Sequence, residues 1–450
     1  MSLKEIHNVY FIGIGGIGMS ALARYFCKIG MNVAGYDKTS TKITEELEKL
    51  GIQIHFNDDQ NFISKEFKEI NNTLVVYTPA IPRDHSELNY FNNSGFKILK
   101  RAEVLGLITK NTFCFAVAGT HGKTTTSCIL GHIMQPYNAT SFLGGISENY
   151  HSNLILGSNE ISVVEADEFD RSFLNLSPNI ACITSMDADH LDIYGEPAAL
   201  EASFQEFSNK VSDILIVAKG SKIKGLTYAV NEDADYQINN IKIDNGNYIF
   251  DVKTPKNTIK DISFSLPGKH NLMNALAALA MANSYGISLN NIKESLETFK
   301  GVERRFSYKI KTEELILIDD YAHHPTEINA VFDSVNEMYP KRKCTVVFQP
   351  HLFSRTRDFI DEFGIALSKF DEVLLLDIYP AREKPIDGVT SSWLLEKISH
   401  KNKKITHKKN LTKDIKNSDA KIIVMLGAGD IGMLVEGVKN ELLTVQNIGS

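Results

Sequence analysis

No apolar run in this sequence approaches the ~20 residues that a bilayer-crossing helix needs, so membrane insertion is not expected. The opening stretch, MSLKEIHNVYFIGIGGIGMSA, lacks a basic start, and glycines interrupt its apolar run. A secretory signal is therefore not expected either. Cysteine is sparse. Cys27, Cys114, Cys128, Cys182 and Cys344 form no C-x-x-C pair, which fits reduced core thiols in a cytoplasmic protein. An excess of basic charge is missing as well. Lysine and arginine number 48 against 55 acidic residues, and they are scattered, which argues against nucleic acid or an anionic membrane as partner. No repeat of 20 to 50 residues is present. What remains is an ordinary globular composition, 43% hydrophobic and 23% charged, over 450 residues. That length suggests about three domains of ~150 residues each.

Short apolar runs alternate with helix-length amphipathic segments through most of the chain, the pattern of β-α units and parallel sheets. One block runs from VYFIGIGGIGM to about residue 107. A second opens with TFCFAVAGT and contains ISVVEAD, NIACITSMDAD and ILIVAKG. Residues 226 to 266 break the pattern: they alternate with period two around an Asn-Gly turn and predict antiparallel hairpins added to the sheet. HNLMNALAALAMANSYG predicts a helix, and GVERRF a hinge. A third block carries ELILIDDYAHHP, CTVVFQPH, EVLLLDIYP and KIIVMLGAGDIG. Its strands end in polar residues, where open α/β sheets place their sites.

Three glycine turns invite a phosphate reading. Gly13-Ile14-Gly15-Gly16-Ile17-Gly18 fits G-x-G-x-x-G between a strand and a helix, with Asp37 ending the next strand. Its backbone amides can approach a pyrophosphate, whether of a dinucleotide or a UDP-sugar. Gly427 to Gly432 repeats the pattern near the C-terminus, with too little chain after it for a second β-α-β unit, so a structural turn is expected there. VAGTHGKTTT, residues 117–126, is the most informative. It resembles a Walker A loop, but Val117 stands where that pattern needs its first glycine. The working end is intact: Lys123 would reach the β- and γ-phosphates, and Thr124 would ligate Mg²⁺. Such a loop needs an acid on a neighbouring strand. Glu165 ends an apolar run, with Asp167, Glu168 and Asp170 after it and Arg171 to offset them. Asp187, Asp189 and His190 follow another buried strand in the same way, and His190 is expected to ligate the metal.

In this order the motifs resemble those of the Mur ligase family. The resemblance is carried by GIGGIGMSALA at 13–23, AGTHGKTTT at 118–126, EADEFDRSF at 165–173, DADHLD at 187–192, LPGKHNLMNALAA at 266–278, GVERRF at 301–306, DDYAHHPTEI at 319–328 and FQPHLFSRTRDF at 348–359. It implies an α/β protein of three domains. Residues 1–108 would be a Rossmann-like domain holding a UDP-sugar through Gly15, Gly16, Ile17, Gly18 and Asp37. Residues 109–306 would be a P-loop-type mixed sheet with the added antiparallel hairpins, binding ATP and Mg²⁺. Residues 307–450 would be a second Rossmann-like domain receiving an amino acid.

The implied activity is ATP-dependent amide ligation of L-alanine to the lactyl carboxylate of UDP-N-acetylmuramate, in peptidoglycan precursor synthesis. A recycling ligase that attaches a whole peptide is the alternative, and a nicotinamide-dependent dehydrogenase a remoter one. By the same resemblance Gly119, Thr120, His121, Gly122, Lys123, Thr124 and Thr125 form the phosphate loop. Thr124, Glu165 and His190 would place Mg²⁺, and His270 with Asn274 would lie near adenine. Arg304 or Arg305, with Asp320 on the ribose, would bind nucleotide. Tyr321, His323 and Arg355 would surround the alanine, with His323 accepting the proton of its amine. Asn271 is expected to cap its helix and His324 to fix a turn before Pro325. Leu352 stands where relatives often carry a basic residue, so carboxylate recognition would rest more on Arg355, with Arg357 as a second candidate. A monomer or weak homodimer is expected.

Overall fold

A computed structural model describes residues 5–186, 197–381 and 383–446. Its strands form three sheets, in keeping with the α/β architecture read from the sequence. The first has five parallel strands in the order Gln53–His55, Asn32–Tyr36, Asn8–Ile12, Thr73–Tyr77, Lys97–Lys100. Asn8–Ile12 lies at its centre with all five residues buried, as a parallel strand covered on both faces requires. Strand order reverses beside it, and the Gly13–Gly18 turn leaves at that crevice to open the helix Ile17–Lys28.

The second sheet has ten strands, ordered Thr258–Phe264, Asn247–Lys253, Tyr236–Asp244, Leu226–Val230, Ile214–Ala218, Ile180–Ile183, Phe113–Ala118, Ile161–Glu165, Thr140–Ser147, Ser152–Ile155. Its middle is parallel, and Phe113–Ala118 and Ile180–Ile183 there are apolar throughout. Phe113–Ala118 pairs with Ile161–Glu165 on one side and Ile180–Ile183 on the other. The hairpin expectation holds at Asn245 and Gly246, which join two neighbouring strands with φ of 47° and 70°, the positive pair that a two-residue turn demands. It needs correction at Leu226–Val230. That strand pairs in parallel with both Ile214–Ala218 and Tyr236–Asp244, because alternation reports a half-buried strand and not its direction.

The third sheet runs Ser307–Lys311, Ile316–Asp320, Ile422–Leu426, Cys344–Phe348, Glu372–Leu375, Lys403–Ile405, parallel except for its first pair. Ile422–Leu426 is inserted between Ile316–Asp320 and Cys344–Phe348. Its register aligns Asp320, Leu426 and Phe348, so three strands deliver their C-terminal ends to one place.

The chain gathers into two compact units. One holds Met1–Asn239, Asp251–Lys260 and Met273–Thr298; the other holds Asn240–Phe250, Asp261–Leu272 and Phe299–Ser450. Within the first, the helix Ile17–Lys28 joins the first two sheets into one core. Asn153 donates to the Ile17 carbonyl at 2.6 Å and to the Ser20 hydroxyl at 2.8 Å, while Tyr25 packs on Phe142 with ring centroids 5.3 Å apart. Among the described residues, no helix is long and apolar enough to cross a membrane.

Candidate active site

The strand Phe113–Ala118 is buried almost throughout and runs into the helix Lys123–Met134 through Gly119–Gly122. Gly122 is the helix N-cap with φ of 80°, a left-handed conformation that suits glycine. A side chain there is also excluded by space, since a Cβ would lie 2.4 Å from Asn274 Oδ1. Asn274 in turn accepts from the Thr126 hydroxyl at 3.2 Å. The structure therefore brings Asn274, expected near adenine, against the phosphate loop itself. The outer side of the loop is braced by residues the sequence reading passed over. Thr120 N–H donates to the Ser185 carbonyl at 3.1 Å, His121 N–H donates to the Ser185 hydroxyl at 2.9 Å, and Thr184 donates to the His121 carbonyl. Thr124 and Thr125 are buried in the first helical turn.

Lys123 Nζ is folded into its own loop. It donates to the Gly119 carbonyl at 2.6 Å and to Glu168 Oε1 at 2.8 Å. Glu165 ends the adjacent strand, in register with Val117, so the acid and the loop emerge side by side. Gly144 on the next strand gives it room, for a Cβ there would come within 2.2 Å of Glu165 Oε2. The Thr124 hydroxyl in the first helical turn and the Glu165 carboxylate at the end of the neighbouring strand are oxygen donors of the kind that fits a hard divalent cation. His190, the third expected ligand, lies with Asp187 and Asp189 outside the described residues.

Glu165 also lines a cavity of about 460 Å³ with Gly16, Ile17, Gly18, Arg101 and Phe142. The first glycine turn and the acid that ends the Ile161–Glu165 strand therefore face one space. Asp37 accepts from the Gly15 amide at 2.7 Å and so shapes the turn. Arg101 lies against Gly18, where a Cβ would be 2.9 Å from the guanidinium, and pairs with Asp167 at 3.5 Å. Beside it, Lys100 pairs with Asp170 at 3.0 Å. The sequence offered a signal for both bases, a Lys-Arg pair directly after the apolar FKIL run, but no motif marked it.

In the second unit the third sheet assembles a separate polar cluster. Tyr321 and His323 stack edge to face at 5.2 Å, and His323 lies 6.0 Å from His351 between ring centroids. His323 Nδ1 sits 2.9 Å from the Tyr321 carbonyl and 3.4 Å from Glu327. Two acceptors fix the proton on Nδ1, which leaves Nε2 with the basic lone pair. Burial lowers the pKa of His351, and the nearby Arg355 and His323 lower it further, so that ring stays neutral. Among the described residues, His351 Nδ1 and Arg355 Nη1 are buried with no hydrogen-bond partner. Such a pair is suited to a small anion such as a carboxylate. His351 was not singled out as a ligand from sequence, although it is the histidine of the QPH triplet.

The nucleotide residues expected around the hinge have other engagements. Arg304 stacks on Tyr321 at 4.9 Å, lies 3.8 Å from Asp319 and donates to the Gly427 carbonyl. Arg305 is the exposed one of the pair. Asp320 accepts from the Phe306 and Ala322 amides at 2.6 and 2.7 Å and so staples the hinge; burial pushes its carboxyl up to about 6. His324 does more than fix a turn. It is the N-cap of the helix Pro325–Met338, with Glu327 completing a capping box. Asn271 lies inside the first turn of the helix Lys269–Tyr285 and donates back to the Pro267 carbonyl at 2.8 Å, rather than capping it; His270 packs on Gly268. The last glycine turn is filled from within: Gln349 accepts from the Ile431 amide at 2.9 Å and donates to Asp430 at 2.8 Å, as a structural turn should show.

A lysine-bearing glycine loop beside a strand-end acid, in a chain that also carries two Rossmann-like sheets, defines an α/β protein of P-loop type. Comparison with known proteins narrows that class. The Mur ligase family catalytic domain matches residues 8–112, the Mur ligase middle domain 117–282, and the Mur ligase glutamate ligase domain 304–431. A UDP-N-acetylmuramate–L-alanine ligase of Flavobacterium psychrophilum is 60% identical over 446 residues, covering 98% of this chain and 99% of that protein. The crystal structure of UDP-N-acetylmuramate-alanine ligase from Thermotoga maritima matches with a TM-score of 0.82 at 29% identity, over 97% of this chain and 99% of that one. A MurF ligase from the same organism, solved in complex with ADP, shares the fold at a TM-score of 0.58 and 17% identity, over 86% of this chain and 93% of that one. The chain belongs to the Mur ligase family.

Proposed function

We propose that this chain is an ATP-dependent ligase that joins L-alanine to the lactyl carboxylate of UDP-N-acetylmuramate, a step of peptidoglycan precursor synthesis. The observation that carries the reading is the 60% identity to a ligase of that name over nearly the whole of both chains. The geometry agrees with it. Residues 1–108 would hold the UDP-sugar through Gly15, Gly16, Ile17, Gly18 and Asp37, of which Gly16, Ile17 and Gly18 line the cavity that Glu165 also lines. Residues 109–306 would bind ATP through Gly119–Thr125, with Asn274 and His270 toward the base. Residues 307–450 would receive the amino acid.

A carboxylate is a poor electrophile, and hydroxide a poor leaving group. Transfer of the γ-phosphoryl group to the lactyl carboxylate removes both obstacles by making an acyl phosphate. Lys123 would neutralise charge on the group in transfer. Thr124 and Glu165, with His190, would hold Mg²⁺, which when bound supplies further neutralisation of the phosphates. The alanine carboxylate would rest on Arg355 and His351. Its neutral amine would attack the acyl carbon, and His323 Nε2 would accept the proton as phosphate leaves. Arg305, the exposed arginine of the hinge, is the better candidate for nucleotide contact. A ribose contact for Asp320 would use the lone pairs that its two backbone amides leave, one on each carboxylate oxygen.

The acyl-phosphate route has a direct test. UDP-N-acetylmuramate labelled with ¹⁸O in its carboxylate should deliver one labelled oxygen to the phosphate released, read by mass spectrometry. Phosphate without label would reject the route.

A further inference from the structure

The loop that follows Glu165 sends three carboxylates to three cations. Asp167 reaches Arg101 at 3.5 Å, Asp170 reaches Lys100 at 3.0 Å, and Glu168 reaches Lys123 at 2.8 Å. The first two pairs are part-exposed. In the third, the Glu168 side chain is fully buried and that of Lys123 is 13% exposed. Just past Glu168 the backbone enters the left-handed region at two successive non-glycine residues, Asp170 and Arg171, with φ of 52° and 54°. Such a run persists where the surroundings impose it. The loop is thus shaped so that one carboxylate points inward to the phosphate loop while its neighbours point to the wall of the sugar cavity.

Lys123 Nζ has a full set of acceptors in this arrangement: the Gly119 and Thr120 carbonyls at 2.6 and 3.4 Å and Glu168 Oε1. The same ammonium is the one a P-loop aims at nucleotide phosphates. Two anions therefore have a claim on a single buried cation.

We propose that Glu168 is a positioning residue for Lys123, holding its ammonium against the loop and competing with the nucleotide phosphates for it. A buried ammonium stripped of its counter-ion is strongly unfavourable, so Glu168 stabilises the empty protein. An incoming triphosphate must take the ammonium over and is repelled at short range by the same carboxylate. Glu168 accordingly stabilises the free state more than the bound state and lowers nucleotide affinity. The inference rests on the reading of residues 119–125 as the nucleotide phosphate site.

The test uses the full chain, a non-hydrolysable ATP analogue with Mg²⁺, titration calorimetry, and thermal unfolding with and without the analogue. Glu168→Gln should melt lower than wild type when free and should bind the analogue ~10-fold tighter, so its thermal gain on binding exceeds that of wild type. The KM for ATP should fall with it. Glu168→Asp, whose carboxylate is drawn back by one methylene, should bind a few-fold tighter, and carries the test alone if the glutamine variant does not fold. Affinity at or below the wild-type level in both variants would overturn the role of Glu168. Lys123→Ala separates the two layers. If it binds the analogue as wild type does, the nucleotide-site reading itself fails. If it binds weakly while the Glu168 variants do not bind tighter, only the inference about Glu168 fails.

Discussion

Single side chains in this protein take their chemistry from what lies behind them. Lys123 owes its place to a glycine cap and a buried carboxylate, and its removal should lower turnover at least ~100-fold, the scale of losing one electrostatic stabiliser. Near-normal turnover of a cleanly folded Lys123→Ala would contradict that. Arg355 presents a buried guanidinium nitrogen with no partner among the described residues. Arg355→Ala should raise the KM for alanine by ~10–100-fold, the worth of a charge-assisted hydrogen bond, and leave the KM for ATP nearly alone. Equal effects on both would place Arg355 elsewhere. Away from the site, Glu87 tests burial. It accepts from Tyr10 at 2.9 Å and lies 3.2 Å from His55 Nε2, and burial pushes its pKa up to about 8 from 4.5. His55 Nδ1 faces the Asn57 carbonyl at 2.9 Å, so Nε2 carries the lone pair, which faces the Tyr10 hydroxyl at 2.8 Å and can accept a hydrogen bond from a neutral Glu87. A raised folded-state pKa gives stability that is whole below the unfolded value and is lost as pH climbs to the folded one. Glu87→Gln, which mimics the neutral acid, should therefore match wild type near about pH 4 and gain over it up to about pH 8, seen in urea midpoints. A gain that does not vary with pH would refute this.

At the scale of strands and helices, the close approach of neighbours sets where a functional group points. Gly144 leaves the space that the Glu165 carboxylate fills. Gly144→Ala should displace that carboxylate and raise the Mg²⁺ concentration for half-maximal activity by ~10-fold, in the range of a disturbed supporting shell. An unchanged magnesium dependence would separate Glu165 from the cation. The sequence showed this strand and its terminal acid, since an apolar run ending in a carboxylate is a local pattern. It did not show Gly144 as its partner, because the two meet only by parallel pairing across residues far apart in the chain. Alternation likewise located the strand Leu226–Val230, but the antiparallel pairing expected for it was wrong, and the structure made it parallel. Helix ends were read only in part: His324 was expected to fix a turn and proves to be an N-cap with Glu327 completing a capping box, while Asn271, expected to cap, lies inside its helix.

For the molecule as a whole, two glycine turns and a lysine loop meet different fates although all three were visible as motifs. The first faces a cavity, the loop faces the acids of an adjacent strand, and the last is filled by Gln349. If the chain is a ligase and not an ATPase, phosphate release should require UDP-N-acetylmuramate and L-alanine together with ATP. Steady release on omission of either acceptor would reject ligation. Motif identity and order, strand positions and the α/β class follow from hydrophobic periodicity and from short stretches whose chemistry is local, and the sequence by itself determined them. The pairing of Glu168 with Lys123, the bases at Lys100 and Arg101, and the meeting of His351 with Arg355 were decided by tertiary structure alone. Each depends on which strands lie side by side and on which polar groups are buried together, and neither quantity is written in the local sequence.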